Sequence, residues 1–535
     1  MATTVPGGPA QRLWNTGGVP VNVSDHLREA SRAWPDDVAM VHADERLTWA
    51  ELDALVDEVA RGLGARGLVA GQRVALAMTN RIELVAAYLA VLRVGMVAVP
   101  LAPRAEAAVL RQALADSSAS LVVADDTALR TARDALSRDR ELERECGLVV
   151  VGARARRGET SWDSLRTADG PAPVAPRDPE MLAVLLATGG STGRPRLAML
   201  PHRALVANLE QVAAIEPPVM THGDTCLVVL PLFHVYALNA VLGQALRQGT
   251  RCVLVDHADP ARALEAVREQ GVTLVPLSPR LVADWSGRPQ LRESLATVRT
   301  VMCGGALLDP EVAEEFVRAS GHPVGLGYGL TEAGPVLTAV TGEQPATPRP
   351  GDAGPALPGV ELRVVDVTGQ DAGPDDPGEI RVRGDNLFTG YWPDGADGPD
   401  ADGWLRTGDV GMLDADGRLT VLDRVREVVM VSGFSVYPVE VEIVAAEVDG
   451  VAQAAVVGVP DARTTEAVVV FVVPRTGAAD GLAQRVAAHC EQNLARFKHP
   501  ARVLVVDELP TGPDGKVLKA RLRSLARQET SGDAS

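Results

Sequence analysis

Residues Thr188 to Arg196 read Thr-Gly-Gly-Ser-Thr-Gly-Arg-Pro-Arg and concentrate groups able to bind phosphate. Gly189, Gly190 and Gly193 free the backbone to curl, and Thr188, Ser191 and Thr192 add hydroxyls. Several N–H and O–H donors can then converge on anionic oxygens, with Arg196 supplying a full positive charge. No Gly-Lys-Ser/Thr closes the loop, so it is not a Walker A sequence. Taken alone, the loop also reads as a solvated glycine-rich turn.

Three more stretches place reactive residue types just after apolar runs. Thr225 to Leu230 leads into Pro231-Leu232-Phe233-His234-Val235-Tyr236. Sheets of α/β proteins bind ligands beyond the carboxyl ends of their strands, although a lone histidine such as His234 is otherwise a satisfied core residue. Thr297 to Met302 enters Cys303-Gly304-Gly305-Ala306, and Pro323 to Leu326 enters Gly327-Tyr328-Gly329-Leu330-Thr331-Glu332. Glycines on both sides of Tyr328 let a flat ring lie against backbone, and Glu332 offers magnesium a hard oxygen. A tight turn with a capping carboxylate has the same letters. Asp409 and Arg424 follow in polar, turn-rich sequence, and Lys516 ends a loop from Leu509 where a lysine is ordinarily just solvated.

The elements that must position these residues are legible as alternating patterns. Met181 to Ala187 reads as a buried strand before the glycine loop, with a helix from Ala204 after it. Thr48 to Glu51 is a capping box ahead of Leu52, Leu55, Val56, Val59 and Leu63 at helical spacing. Short Val/Ala/Leu runs at Arg73 to Met78, Met96 to Leu101, Ser120 to Ala124 and Leu274 to Leu277 alternate with helical stretches. That alternation predicts layered α/β architecture with largely parallel sheets. From Pro350 to Trp392 the texture becomes Gly, Pro and Asp turns between short strands, a small β subdomain. A separable unit follows, with a βαβ-like pattern from Val439 to Val473, a helix from Gly481 to Leu494 and a strand at Arg502 to Val506.

The chain has 535 residues and a formal net charge of −18. Such a balance excludes a nucleic-acid surface and makes any anionic ligand depend on local basic pockets. The five cysteines, Cys146, Cys226, Cys252, Cys303 and Cys490, lack zinc or disulfide-framework spacing. They predict reduced, buried thiols in a cytoplasmic protein. No secretory leader pattern and no membrane-length apolar run is seen.

In their order and intervals these motifs resemble the adenylate-forming superfamily of acyl-CoA synthetases, firefly-type luciferases and nonribosomal-peptide adenylation domains. The branch they resemble most is that of the 4-coumarate–CoA ligases, through Leu230 to Asn239 and Gly327 to Leu337. The resemblance covers about residues 25 to 525. It implies an α/β fold: a flexible arm (1–20), a large multi-subdomain N-terminal domain of layered sheets plus a small β subdomain (21–424), a small mobile α+β C-terminal domain (425–526) and a disordered tail (527–535).

The resemblance also implies chemistry in two halves. A carboxylate attacks the α-phosphate of ATP, and a thiol then displaces AMP. Thr188, Gly189, Gly190, Ser191, Thr192, Gly193 and Arg196 would wrap the β- and γ-phosphates. Gly305, Ala306, Tyr328 and Gly329 would frame the adenine side, Thr331 would reach the α-phosphate, and Glu332 would hold Mg2+. Asp409 would accept both ribose hydroxyls, helped by Arg424. Lys516 would bridge the carboxylate and α-phosphate oxygens. His234 and Tyr236, beside Gly329, Pro335 and Val336, would wall a flat apolar pocket for an aryl or arylacrylic acid. Arg426 matches the hinge about which the small domain turns. The oligomeric expectation is a monomer or homodimer.

Four departures bear on that reading. The phosphate loop closes with Pro195-Arg196-Leu197 in place of Pro-Lys-Gly. Leu326 stands where Gln or Asn usually precedes the Gly-Tyr-Gly turn, and Leu307 stands for a proline. Met430, Ser432 and Ser435 replace the two lysines and glutamine that serve the adenylate and CoA side in coumarate-type ligases. The leading expectation is therefore ATP-dependent acid–CoA ligation. The missing cations motivate an alternative in which adenylation serves another acceptor: a carrier protein, an amine, or nitrite activation for diazotisation of an aryl amine. A non-catalytic nucleotide-binding regulator is the third reading.

Overall fold

The computed structural model describes residues 21–166, 175, 178–188, 195–256, 260–340, 351–366, 368–424, 427–432, 434–461, 463–475, 477, 479–511 and 517–532. The expected arm 1–20, the loop residues Gly189, Gly190, Ser191, Thr192 and Gly193, the hinge residue Arg426, and Lys516 lie outside this set.

Two largely parallel sheets build the large domain. An eight-stranded sheet runs in the order Val336–Val340, Val324–Gly329, Thr300–Cys303, Leu274–Leu277, Thr225–Val228, Arg251–Leu254, Val38–His42, Glu45–Thr48. A seven-stranded sheet runs Thr160–Ser161, Gly147–Val150, Ala119–Ala124, Arg73–Ala77, Val97–Leu101, Leu182–Thr188, Arg196–Pro201. Their inner strands are buried almost throughout, as Val74 to Ala77 and Leu274 to Leu277 show, because helices cover parallel sheets on both faces. Helix Trp49–Ala65 begins as predicted. The Glu51 N–H donates to Thr48 Oγ1 at 3.2 Å and the Thr48 N–H to Glu51 Oε2 at 2.8 Å, a cap that contributes about 1 kcal/mol.

A five-stranded antiparallel sheet between Asp352 and Arg424 forms the β subdomain. In the small domain, helices Pro438–Ala446 and Leu482–Asn493 cover one face of a sheet, and Lys519–Gly532 covers the other. Two expectations change here. The stretch 439–473 is not βαβ-like: a helix comes first, and then Val451–Asp461 and Thr465–Pro474 pair antiparallel. Three residues separate those strands, far fewer than a parallel crossover needs. Helix Lys519–Gly532 also carries through residues 527–532, where the sequence reads as a disordered tail.

The two large sheets are stitched together by Asn80, which is buried at the end of strand Arg73–Ala77. Its Nδ2 donates to the carbonyls of Val228, Leu230 and Val255 at 3.0, 2.9 and 3.2 Å, and its Oδ1 accepts the Leu232 N–H at 3.1 Å. One side chain thus meets the polar groups left where strand Thr225–Val228 turns toward His234.

Candidate active site

The glycine loop joins two strands, not a strand and a helix. Leu182–Thr188 and Arg196–Pro201 form an antiparallel hairpin with Thr188 opposite Arg196, and helix His202–Ala213 follows directly. Arg196 is therefore fixed at a strand end. Its guanidinium lies 3.6 Å above the ring centroid of Tyr391, and its Nη1 is 2.7 Å from Asp397 Oδ2. The Tyr391 hydroxyl donates to Glu332 Oε1, and the Thr188 hydroxyl donates to the Arg196 carbonyl at 3.4 Å. Arg196 and Glu332 are thus brought together through Tyr391, which sequence reasoning missed, and Thr188 joins them through the Arg196 carbonyl. The signal was a lone Gly390-Tyr391-Trp392 step after a turn-rich stretch.

Leu197, which replaces the usual glycine, lies inside the hairpin strand. It pairs with Ala187 inside the hairpin and buries its side chain with Leu185 and Leu148, so its departure is absorbed as core. Leu326 is likewise buried, between Cys303 and Val340 in the eight-stranded sheet.

A second cluster lies at the neighbouring strand end. Asp409 is 5% exposed. Its Oδ2 accepts the Tyr328 hydroxyl at 2.6 Å, and its Oδ1 is 2.6 Å from Arg424 Nε across the strand pair Leu405–Leu413 and Arg418–Arg424. The Asp409 N–H donates to Thr407 Oγ1 at 3.1 Å. Burial, with Asp409 alongside, pushes the Tyr328 phenol well up; burial and then Glu332 push up Tyr391. Both phenols are neutral donors at physiological pH.

The third group gathers beyond strands Thr225–Val228, Thr300–Cys303 and Val324–Gly329. Tyr236 opens a π-helix, Tyr236–Gly243, a local widening frequent at functional sites. Its ring packs on Gly304, where an added Cβ would sit 3.4 Å from two ring carbons. Burial pushes the Tyr236 phenol up, with Cys303 and Cys226 adding to the shift. Gly305 turns with φ +89°, in the left-handed region, with open space above it, and Ala306 beside it is exposed. At Gly329 a Cβ would fall 2.0 Å from the Pro335 carbonyl, so only glycine lets the two strands close. His234 is exposed, its ring 4.5 Å from that of Phe233. Thr331 and Glu332 follow in a short 3-10 turn, Thr331–Ala333, and Pro335 and Val336 close the wall.

Among the described residues no three His, Cys, Asp or Glu side chains gather as a metal cluster. A single carboxylate, Glu332, oriented by Tyr391, fits a magnesium ion held mainly by phosphate oxygens and water. All five cysteines are buried and unpaired; burial pushes Cys146, Cys252 and Cys303 up to about 12, so none is poised as a nucleophile.

Residues 27–392 match the family model of the AMP-binding enzyme, and residues 440–516 match that of the AMP-binding enzyme C-terminal domain. The chain belongs to the AMP-binding enzyme family. This AMP-binding enzyme is 34% identical over 498 residues to 4-coumarate--CoA ligase 5 of Oryza sativa subsp. japonica, covering 90% of the chain and 89% of that protein. ATP-bound MatB from Rhodopseudomonas palustris has the same fold, with a TM-score of 0.84 at 30% identity over 94% of the chain and 99% of MatB. The amide bond synthetase McbA from Marinactinospora thermotolerans aligns with a TM-score of 0.82 at 28% identity, over 94% of the chain and 99% of McbA. The chain is an adenylate-forming, acyl-CoA ligase-like enzyme with a large N-terminal and a small C-terminal domain. Among the described residues no helix is long and apolar enough to cross a membrane.

Proposed function

We propose that this enzyme uses ATP and Mg2+ to adenylate an aromatic or apolar carboxylic acid, and then passes the acyl group to CoA. The observation that carries the reading is the buried Asp409, fixed by Tyr328 and Arg424. A carboxylate oriented on two sides is suited to a ribose diol, and Glu332, three residues beyond the Gly327-Tyr328-Gly329 turn, to the phosphate-bound cation. The roles then divide as follows. Thr188 to Gly193 and Arg196 receive the β- and γ-phosphates, with the Arg196 charge already directed by the Tyr391 ring. Gly305 and Ala306 border the adenine side, and Thr331 meets the α-phosphate. Lys516 neutralises charge between the attacking carboxylate and the α-phosphate, where removal of such a donor costs about a hundredfold or more. Tyr236 and Gly304 set the flat floor of the acyl pocket, with His234, Pro335 and Val336 around it. Arg426 serves as the hinge between the two half-reactions. Buried free thiols fit a reducing, cytoplasmic setting.

A second reading, with an acceptor other than CoA, rests on the strand Val429–Val431 and its turn. Met430 is 40% exposed, and its N–H donates to the Glu466 carboxylate at 2.7 Å. Ser432 holds the turn at φ +51°. Where an anionic nucleotide tail would dock there are thus a thioether, a hydroxyl and a nearby acid. An amide bond synthetase among the structural relatives is compatible with an amine acceptor.

Pyrophosphate release should be measured with ATP, Mg2+ and a panel of coumarate- and benzoate-like acids, with and without CoA, and with nitrite plus an aryl amine. Acid-dependent release with accumulation of a thioester supports ligation to CoA. Acid-dependent release that CoA does not alter, or release with nitrite alone, moves the function to the second reading. Release that persists in Lys516→Ala sinks both.

A further inference from the structure

We propose that four buried amide side chains, Asn208, Gln211, Asn239 and Asn386, form a cage that positions the loop from Glu332 to Val336 and so sets acid recognition. The proposal rests on the adenylation reading and adds to it residues that touch neither ATP nor acid. All four are within the core, with Asn208, Asn239 and Asn386 fully buried. Such groups are retained inside chiefly when hydrogen-bonded, and here Asn208, Asn239 and Asn386 each bond the backbone of one loop while Gln211 links Asn208 to Asn386.

The cage is continuous. Asn208, on helix His202–Ala213, reads both polar groups of Val336: its Nδ2 donates to the Val336 carbonyl at 2.7 Å and its Oδ1 accepts the Val336 N–H at 3.1 Å. The same Nδ2 donates to Gln211 Oε1 at 3.3 Å, Gln211 Nε2 donates to Asn386 Oδ1 at 3.2 Å, and Asn386 Nδ2 donates to the Ala333 carbonyl at 2.8 Å. From the π-helix, Asn239 Nδ2 donates to the Gly334 carbonyl at 2.6 Å and to that of Leu205 at 3.1 Å. The Phe388 N–H meets the Glu332 carbonyl at 2.8 Å, and the Leu330 N–H meets that of Pro335 at 3.1 Å. Every carbonyl from Glu332 to Val336 is therefore held.

The arrangement has a direction. Asn208 and Asn239 grip the Gly334–Val336 end, which walls the acyl pocket, whereas Asn386 grips Ala333 beside the cation ligand Glu332. Asn208 also sits on the helix that directly follows the phosphate-loop hairpin. These are positioning residues: their loss should let the wall drift while leaving the nucleotide contacts at Asp409 intact.

The test compares Asn208→Ala, Asn386→Ala and the milder Gln211→Ala, which keeps both direct grips on the loop. For Asn208→Ala the KM for the acid should rise about tenfold, with the KM for ATP within about twofold, the scale of one or two lost hydrogen bonds. Asn386→Ala should raise the KM for ATP as well, and Gln211→Ala should change the acid KM about threefold. Backbone hydrogen exchange over residues 327–340 should quicken in Asn208→Ala relative to the wild type. Acid and ATP constants rising together in Asn208→Ala, or exchange unchanged in it, overturns the cage. If Asn208→Ala does not fold, Gln211→Ala decides by the same two readouts. A wild type that releases no pyrophosphate with any acid counts against the adenylation reading alone. Exchange still decides the cage, since it needs no turnover.

Discussion

The Asp409 and Glu332 clusters of the large domain and the turn after strand Val429–Val431 of the small domain are built on opposite terms. In the first, Asp409 is held by Tyr328 and Arg424, and Tyr391 joins Glu332 to the Arg196 guanidinium. Groups aimed before the ligand arrives need no reorganisation at the moment of reaction. In the second, an exposed Met430 and a strained Ser432 turn offer no fixed charge. On the proposed reading, the contrast teaches that activation draws on groups already aimed by geometry, whereas choice of acceptor falls to side chains that a few substitutions can change.

The comparison breaks first at Asp409. Asp409→Ala leaves the Arg424 charge and the Tyr328 hydroxyl without their shared partner, a loss of the kind that costs about 2–5 kcal/mol. The kcat/KM for ATP should fall about a hundredfold or more; a fall below tenfold would show that the cluster is structural.

Acid should separate the scaffolds of the two regions. His202, buried at the start of the helix that carries Asn208, accepts the Val23 N–H on Nδ1 at 3.2 Å, and burial lowers its pKa to about 4. The unfolded chain protonates this histidine near its ordinary 6.5, so stability is full above that value and is lost as pH falls toward 4. Between pH 7 and 5 the loss is about 2 kcal/mol, read from urea midpoints, and it should be nearly absent in His202→Leu. The small domain has the opposite sign at its root. Burial holds Asp423 and Glu442 above the usual carboxylate range beside Lys519, 3.7 and 3.0 Å away, so mild acid relieves them. Hydrogen exchange at pH 5 should quicken in the large domain before the small one.

Tyr391→Phe sharpens the comparison within the Glu332 cluster. It keeps the ring under Arg196 but removes the hydroxyl on Glu332, so the Mg2+ concentration for half-maximal pyrophosphate release should rise about tenfold. Equal effects of Tyr391→Phe and Tyr391→Leu would mean that the ring contact contributes nothing. The smallest effect lies on the other side. Met430→Lys restores one cation and should lower the KM for CoA about threefold, with pyrophosphate release in the absence of CoA unchanged. No response to CoA in either protein would favour a different acceptor.

Much of this was legible in the sequence because it is local. The capping box at Thr48 and Glu51, the strand Leu274–Leu277 and the buried runs before each functional turn follow from spacing and residue type. Gly329 reads in the sequence as room for a flat ring, whereas the structure gives another reason, the Pro335 carbonyl 2.0 Å from the place of its Cβ. The strand Arg196–Pro201 was hidden because four apolar residues fit a strand or a helix end equally well. The 439–473 stretch was misread because valine-rich strands carry no mark of parallel or antiparallel pairing until the connection is measured.

The sequence by itself determined the glycine- and hydroxyl-rich run from Thr188 to Arg196, the α/β layering and the absence of cations at Met430, Ser432 and Ser435. Only the tertiary structure decided that Tyr391 joins Glu332 to Arg196, that Leu197 is core, and that amides from positions 208, 211, 239 and 386 close on a single loop. Those partners are separated by 59 residues for Tyr391 and Glu332 and by 128 for Asn208 and Val336. Periodicity reports which face of its own element a residue occupies; which distant backbone that face meets is settled only when the sheets and helices pack and every buried polar group must find a partner.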